Sequence, residues 1–63
     1  MPIVHVELYE GRPKEIRAEI AKAITDDLVR IMNTKPDAVH VIFTETKKEN
    51  WARGGTLVCD LGK

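Results

Sequence analysis

The 63-residue sequence predicts an α+β fold, in which a strand, a long helix and a second strand form a βαβ protomer with a parallel two-stranded core. Three observations predict it: residues 2–9 alternate in polarity, residues 16–31 carry an apolar stripe at helical spacing, and residues 38–44 are largely apolar on both parities. We interpret residues 1–63 as a single domain. A chain this short buries only about 60% of the surface that its unfolded form exposes, so we expect it to self-associate.

The first strand is predicted at residues 2–9, which are rich in β-branched side chains. Side chains alternate across a strand, so its two faces can be compared directly. One face carries Val4, Val6 and Leu8, and the other carries Ile3, His5, Glu7 and Tyr9. The strand therefore has one apolar face and one face that carries both apolar and polar side chains.

A long helix is predicted after the turn at residues 10–13, where Gly11 permits an unusual backbone angle and Pro13 suits the first helical position. Apolar residues recur at helical spacing, and charged residues fall largely on other faces. The apolar stripe comprises Ile16, Ile20, Ala23, Ile24, Leu28 and Ile31. Asn33 suits a helix end and Pro36 forbids continuation, so the helix should end near residues 32–34.

The second strand is predicted at residues 38–44, which are apolar on both parities except for His40 and Thr44. This pattern is typical of a strand that is covered on both faces. One helix cannot cover both faces, so the second cover is expected to be another copy of the chain. After a polar turn at residues 45–50, residues 51–59 are predicted to form a loop or small hairpin that docks on a neighbour, with Cys59 as a small buried hydrophobe.

The predicted topology separates the candidate functional residues. Parallel strands place Pro2 and His40 at the same end of the sheet. Arg12 lies just past the far end of the first strand, about 25 to 30 Å from Pro2 at a rise of about 3.3 Å per residue. If Pro2 and Arg12 serve the same chemistry, they must come from different subunits of a symmetric oligomer.

Charge and composition argue against several classes of function. Ten basic side chains balance ten acidic ones, so neither nucleic acid nor a membrane surface is an expected partner. The sequence shows no signal-peptide pattern and no membrane span, and the expected location is the cytoplasm. The single Cys59 excludes an intrachain disulfide, and with two scattered histidines it makes no recognisable zinc site, so no metal is expected.

Pro2 has the most distinctive chemistry in the chain. Initiator methionine is normally removed before a small residue, so we expect Met1 to be absent from the mature protein and Pro2 to carry a secondary amine. An α-amino group ordinarily has a pKa of about 7.7 to 8.0. An apolar pocket with a nearby arginine would lower that pKa. Such an amine is neutral at pH 7, and its ring fixes the direction of the lone pair, so it can act as a base. The alternative is a proline that merely starts a strand.

Three segments carry the motifs of the chain: PIVHVELYEGR at residues 2–12, VHVIFTE at residues 39–45 and WARGG at residues 51–55. They closely resemble the 4-oxalocrotonate tautomerase family, and the match spans the whole chain. The resemblance implies a tautomerase-like βαβ protomer, usually assembled as a hexamer from dimers. It also implies a cofactor-independent keto–enol tautomerase, an isomerase of aromatic catabolism in which Pro2 moves a proton within a 2-hydroxydienoate or 2-oxo acid.

The same resemblance assigns substrate-binding roles to other residues. Arg12 matches the family's carboxylate-binding arginine, whose planar fork suits a two-oxygen anion. Trp51 falls where the family has a pocket-lining aromatic residue that helps to keep the proline amine neutral. His40 stands where better-studied members carry a second arginine, and histidine carries only part of a charge near neutral pH. Either His40 or Arg53 is therefore expected to stabilise charge that develops on the substrate oxygen.

Two alternatives to a tautomerase remain open. The same fold hosts hydration or dehalogenation of a small unsaturated acid, which uses a protonated proline and an acidic residue that activates water. The other alternative is a non-catalytic assembly module, in which Trp51 and Arg53 are interface residues and Arg12 is a solvated turn arginine.

Overall fold

A computed structural model describes residues 1–62 of the protein. Its elements are strand β1 (Ile3–Tyr9), helix α1 (Lys14–Met32), strand β2 (His40–Thr46) and a hairpin of two short strands, β3 (Ala52–Arg53) and β4 (Thr56–Leu57). Single 3₁₀ turns occur at Pro36–Ala38, Lys48–Asn50 and Val58–Asp60. The order confirms the predicted βαβ protomer, and the C-terminal segment is a hairpin.

Strands β1 and β2 pair in parallel, from Ile3 opposite His40 to Tyr9 opposite Thr46. Hairpin strands β3 and β4 pair with each other in the antiparallel sense and form a separate small sheet. The parallel two-stranded core is therefore as predicted, and the residues that open both of its strands lie at one end.

The predicted boundaries of the second strand are wrong at both ends, since β2 covers residues 40–46 and not 38–44. Its start is later because Pro36 opens a 3₁₀ turn, in which the N–H of Val39 donates to the Pro36 carbonyl over 3.1 Å. Its end is later because pairing continues past β1, where the N–H of Glu10 donates to the Thr46 carbonyl over 3.1 Å. The polar composition of residues 45 and 46 had suggested a turn at that point.

Helix α1 begins one residue later than predicted and ends as predicted. Pro13 precedes the helix in an extended conformation, with ψ at 156°, so Lys14 is the first helical residue. At the other end Asn33 adopts a left-handed conformation, with φ at 56°, and its N–H donates to the Val29 carbonyl over 3.0 Å. Among the described residues, no helix has both the length and the apolar character needed to cross a membrane.

The parallel sheet has one partly covered face and one open face. On the covered face the half-buried side chains are Val4, Val6, Leu8, Val41 and Phe43. On the open face Ile3 and Ile42 are 59% and 49% exposed. On the same face, Nε2 of His5 and Oγ1 of Thr44 form a hydrogen bond of 2.7 Å. The alternation predicted for the first strand therefore corresponds to these two environments.

The protomer lacks a sealed core of its own. No side chain within residues 1–62 is buried, and the chain measures 46 × 23 × 14 Å along its principal axes. Exposed apolar surface costs about 25 cal/mol per Å² relative to burial. A second protein surface that covers the open sheet face would therefore stabilise this fold, as expected of so short a chain.

Candidate active site

Pro2 and His40 lie together at the end of the parallel sheet where both strands begin. The backbone N–H of His40 donates to the Pro2 carbonyl over 3.0 Å. Pro2 is half-buried, His40 is exposed, and the Met1 side chain before them is 83% exposed. While Met1 is present, the Pro2 nitrogen is an amide without a basic lone pair, and removal of this exposed residue would convert it into an amine.

Arg12 lies at the opposite end, in the connection between β1 and α1. Gly11 precedes it with φ at 113°, a conformation that glycine adopts without steric cost. The Arg12 side chain is exposed, and its carbonyl accepts a hydrogen bond of 3.2 Å from Nη1 of Arg17. The same Nη1 lies 3.1 Å from Oε1 of Glu45. The turn that carries Arg12 is thus linked to both the helix and the last part of β2.

Trp51 lies at the same end as Arg12, against the last residue of β1. The rings of Tyr9 and Trp51 meet edge to face, with centroids 4.5 Å apart and planes at 65°. Nζ of Lys48 lies 5.6 Å from the centroid of the Tyr9 ring. The carbonyl of Trp51 accepts a hydrogen bond of 2.7 Å from the N–H of Val58, which ties the start of the hairpin to its end.

Arg53 occupies the tip of the C-terminal hairpin, where it pairs with Thr56. The two residues between them, Gly54 and Gly55, have φ of 62° and 85°. Positive φ at both central positions is the requirement of a tight hairpin turn whose twist matches its strands. The Gly-Gly pair therefore shapes the backbone, and it presents Arg53 as an exposed side chain beside the turn.

Four of the predicted site residues thus form two groups within one protomer. Pro2 and His40 lie together at one end, and Arg12 and Trp51 lie at the other, beyond the seven residues of β1. Seven residues span about 23 Å at about 3.3 Å each. A small-molecule substrate is shorter than that. A site that contains residues of both groups would therefore need more than one protomer.

Comparison with known proteins decides the family. A family model described as "Tautomerase enzyme" matches residues 2–61. The chain belongs to the tautomerase family. The match begins at Pro2 and extends through the C-terminal hairpin, so it includes every candidate site residue named above.

This tautomerase resembles known relatives over nearly its full length. A "probable tautomerase" of Lactococcus lactis subsp. lactis is 42% identical over 57 residues, which cover 90% of this chain and 93% of the relative. The crystal structure of TomN, a 4-oxalocrotonate tautomerase homologue of the tomaymycin biosynthetic pathway, has a TM-score of 0.89 and 36% identity, covering 94% of this chain and 91% of TomN. The likeness confirms the predicted fold.

One solved relative is a multi-chain assembly. It is a heterohexamer 4-oxalocrotonate tautomerase from Chloroflexus aurantiacus J-10-fl, with a TM-score of 0.88 and 26% identity over 97% of this chain and 98% of that chain. Tautomerases with this protomer fold therefore include hexamers. The two groups of candidate residues in the present tautomerase are compatible with a site formed between chains.

The tautomerase also contains an open groove that the sequence did not predict. Its volume is about 460 Å³, and it is lined by Glu10, Lys47, Lys48, Glu49 and Cys59. Cys59 is exposed, so its predicted burial is wrong. The 3₁₀ turn at Val58–Asp60 explains the difference, because it leaves Val58 half-buried and turns the next side chain outward. No cluster of three potential metal-ligating side chains occurs within residues 1–62.

Arg17, Glu45 and Tyr9 are site neighbours that sequence reasoning missed. Arg17 was assigned, like the other charged residues of the helix, to faces outside the apolar stripe, yet it lies one helical turn after Pro13 and contacts the Arg12 carbonyl. Glu45 was assigned to a solvated turn, yet it belongs to β2. A signal was present in the spacing, since a long basic side chain in the first turn of a helix can reach back to the preceding loop.

Proposed function

We propose that this chain is a cofactor-independent keto–enol tautomerase that converts a 2-hydroxydienoate into a 2-oxo acid, with the amino group of Pro2 as the general base. The observation that carries the proposal is the position of Pro2. It directly follows a removable, exposed Met1, it is the first residue of the family match, and its carbonyl is held by the N–H of His40. The ring and this hydrogen bond together give the amine a defined direction.

In the proposed reaction the neutral Pro2 amine accepts the proton of the substrate's 2-hydroxyl group. The oxygen lone pair forms the carbonyl, the double bond shifts along the diene, and the distal carbon receives a proton from the Pro2 ammonium. The O–H and N–H bonds that break are balanced by the N–H and C–H bonds that form. The amine returns to its neutral state, so neither oxidant nor cofactor is consumed.

Four side chains are proposed to bind the substrate around Pro2. Arg12 of a neighbouring protomer binds a carboxylate through its planar guanidinium. Trp51 excludes water from the amine, which favours its neutral form. His40 or Arg53 donates a hydrogen bond to the substrate oxygen as negative charge develops there.

The proposed assembly is a homo-oligomer, most simply a hexamer, with active sites shared between subunits. Its support is the separation of Pro2 from Arg12 in one protomer, together with the exposed apolar residues of the open sheet face. The heterohexameric relative supports the proposal, since its protomers have the same fold and form a hexamer.

The test is the ultraviolet decay of 2-hydroxymuconate and of 2-hydroxypenta-2,4-dienoate with mass-verified, Met-free protein. We expect rapid decay that falls about 10²- to 10⁴-fold in the Pro2→Ala variant, the range that a general base contributes. A variant with an additional residue before Pro2 keeps the ring but blocks the amine, and it should lose the same activity. Equal decay by all three proteins would reject the proposal and would favour the hydratase or the assembly module.

A further inference from the structure

We infer that Arg17 is a positioning residue, which holds the turn of Arg12 in the orientation needed to bind a substrate carboxylate. The inference rests on the proposed function, because it assigns a task to a side chain that does not itself touch the substrate. It is drawn from two contacts of one guanidinium nitrogen, Nη1 of Arg17, and from the few other constraints on the turn.

The first contact fixes the backbone next to Arg12. Nη1 of Arg17 donates to the Arg12 carbonyl over 3.2 Å. Pro13 follows Arg12 and has no N–H, so this carbonyl is the only hydrogen-bonding group of the peptide that joins them. The contact therefore sets the orientation of that peptide, and with it the direction in which the Arg12 side chain leaves the backbone.

The turn has few other constraints within the described residues. Gly11, with φ at 113°, has open space where a Cβ would lie, and no side chain forms a capping hydrogen bond at the start of α1. Backbone hydrogen bonds hold the residues on either side, from Glu10 to the Thr46 carbonyl and from Ile16 to the Pro13 carbonyl, each over 3.1 Å. Between those two points, Gly11 gives the backbone conformational freedom, and the hydrogen bond from Arg17 restricts it.

The second partner of Arg17 is a carboxylate that holds it in place. Nη1 of Arg17 lies 3.1 Å from Oε1 of Glu45, and the two side chains are only 28% and 33% exposed. The ion pair of Lys22 and Asp26 on the same helix is far more exposed, at 78% and 62%. Pairs that are partly shielded from water are screened less by salt, so Glu45 restricts Arg17 more than a surface partner would.

The position of Arg12 matters because recognition of a carboxylate by a guanidinium depends on geometry. Two parallel N–H···O bonds form only when the planes of the two groups coincide. A displacement of about 1 Å at a substrate-binding group can cost about 10²-fold in rate. Loss of Arg17 should therefore weaken binding of a carboxylate while leaving the proton transfer at Pro2 unaffected.

The test is a double-mutant cycle with two substrates, 2-hydroxypenta-2,4-dienoate and its methyl ester, which lacks the carboxylate. We expect Arg17→Ala to raise KM for the acid about tenfold with little change in kcat, the signature of lost ground-state binding. The kcat/KM for the ester should not change. In an Arg12→Ala background the further Arg17→Ala substitution should have no effect, because it acts through Arg12. Additive effects, or equal losses on acid and ester, would overturn the inference.

Two further variants keep the inference testable if Arg17→Ala fails to assemble. Glu45→Gln removes the charge that holds Arg17 and retains the arginine, so we expect a smaller rise in KM for the acid alone, again absent in the Arg12→Ala background. An unchanged KM for the acid in correctly assembled Glu45→Gln, with Arg17→Ala unable to assemble, would overturn the inference. Lys22→Ala removes an ion pair of the same helix and is the matched control, with no change expected for either substrate.

The proposed function and this inference can fail separately. If Pro2→Ala leaves the decay of the acid unchanged, the proposed function is wrong. If Pro2→Ala abolishes the decay but the Arg17 and Arg12 substitutions are additive, the tautomerase proposal stands and only the positioning role is wrong.

Discussion

The backbone N–H of His40 donates to the carbonyl of Pro2 over 3.0 Å, so the residue that opens β2 is tied to the residue that precedes β1. This contact places residue 40 at the same end of the sheet as the residue that we propose to supply the base. The contact uses only the backbone of residue 40. Its side chain is therefore expected to affect substrate preference more than the stability of the fold.

Replacing His40 with arginine should favour dicarboxylate substrates. A permanent, forked cation beside Pro2 can form a charge-assisted hydrogen bond with a second carboxylate, worth about 1.5 to 3 kcal/mol. We expect KM for 2-hydroxymuconate to fall about tenfold or more in His40→Arg, since each 1.4 kcal/mol is a factor of about ten. The monocarboxylate 2-hydroxypenta-2,4-dienoate should change little, and His40→Gln is the uncharged control. An equal change for both substrates would contradict a role for charge at this position.

Removing the charge of Arg53 should weaken substrate binding if this residue supplies the permanent positive charge that a histidine at position 40 lacks. Arg53 is exposed beside the Gly54-Gly55 turn, so its side chain can be removed without loss of packing. We expect Arg53→Ala to reduce kcat/KM for the enol acids about tenfold, the scale of one charge-assisted hydrogen bond. Arg53→Lys should restore part of the loss. If Arg53→Ala has the same steady-state kinetics as the unsubstituted protein, Arg53 has no role in binding and is a solvated hairpin residue.

A charge placed on the open sheet face should prevent assembly. Ile42 is 49% exposed and lies on the same face as Ile3, at 59%. Burying an isoleucine at an interface stabilises the assembly by about 1.5 to 3 kcal/mol. Burying an unpaired carboxylate at the same position destabilises it. We expect Ile42→Glu to elute from size-exclusion chromatography at a smaller mass by light scattering, and to lose activity with the assembly. Glu19→Lys, on the exposed surface of α1, is the control and should assemble normally.

The contact between Tyr9 and Trp51 should contribute to the stability of the hairpin. The edge-to-face pair, with centroids 4.5 Å apart, is worth about 0.5 to 1.5 kcal/mol beyond the area that it buries. We expect Trp51→Ala to lower the Tm by several degrees at fixed protein concentration, since about 1 kcal/mol corresponds to about 4 to 8 °C for a domain of this size. Trp51→Phe retains an aromatic ring and should retain most of the stability. An equal loss in both variants would point to the indole N–H and not to the ring pair.

The elements themselves could be predicted from local patterns because those patterns have local causes. Alternation at residues 3–8 reflects the two faces of β1, and the left-handed conformation of Asn33 ends α1 where the sequence indicated. The ends of β2 could not be predicted in this way. They depend on a 3₁₀ turn opened by Pro36 and on a hydrogen bond from Glu10, which is distant in sequence from Thr46.

The sequence by itself determined the order of the elements, the family and the identity of the candidate site residues. The order of the elements follows from side-chain type and spacing, and the family and the candidate residues follow from motifs that resemble those of a known family; all are properties of the chain before it folds. Only the tertiary structure decided which residues meet. It packed Trp51 against Tyr9 at the far end of β1, and joined Arg17 to the Arg12 carbonyl and to Glu45. Contacts between residues far apart in sequence depend on strand register and helix placement, and no local pattern contains that information.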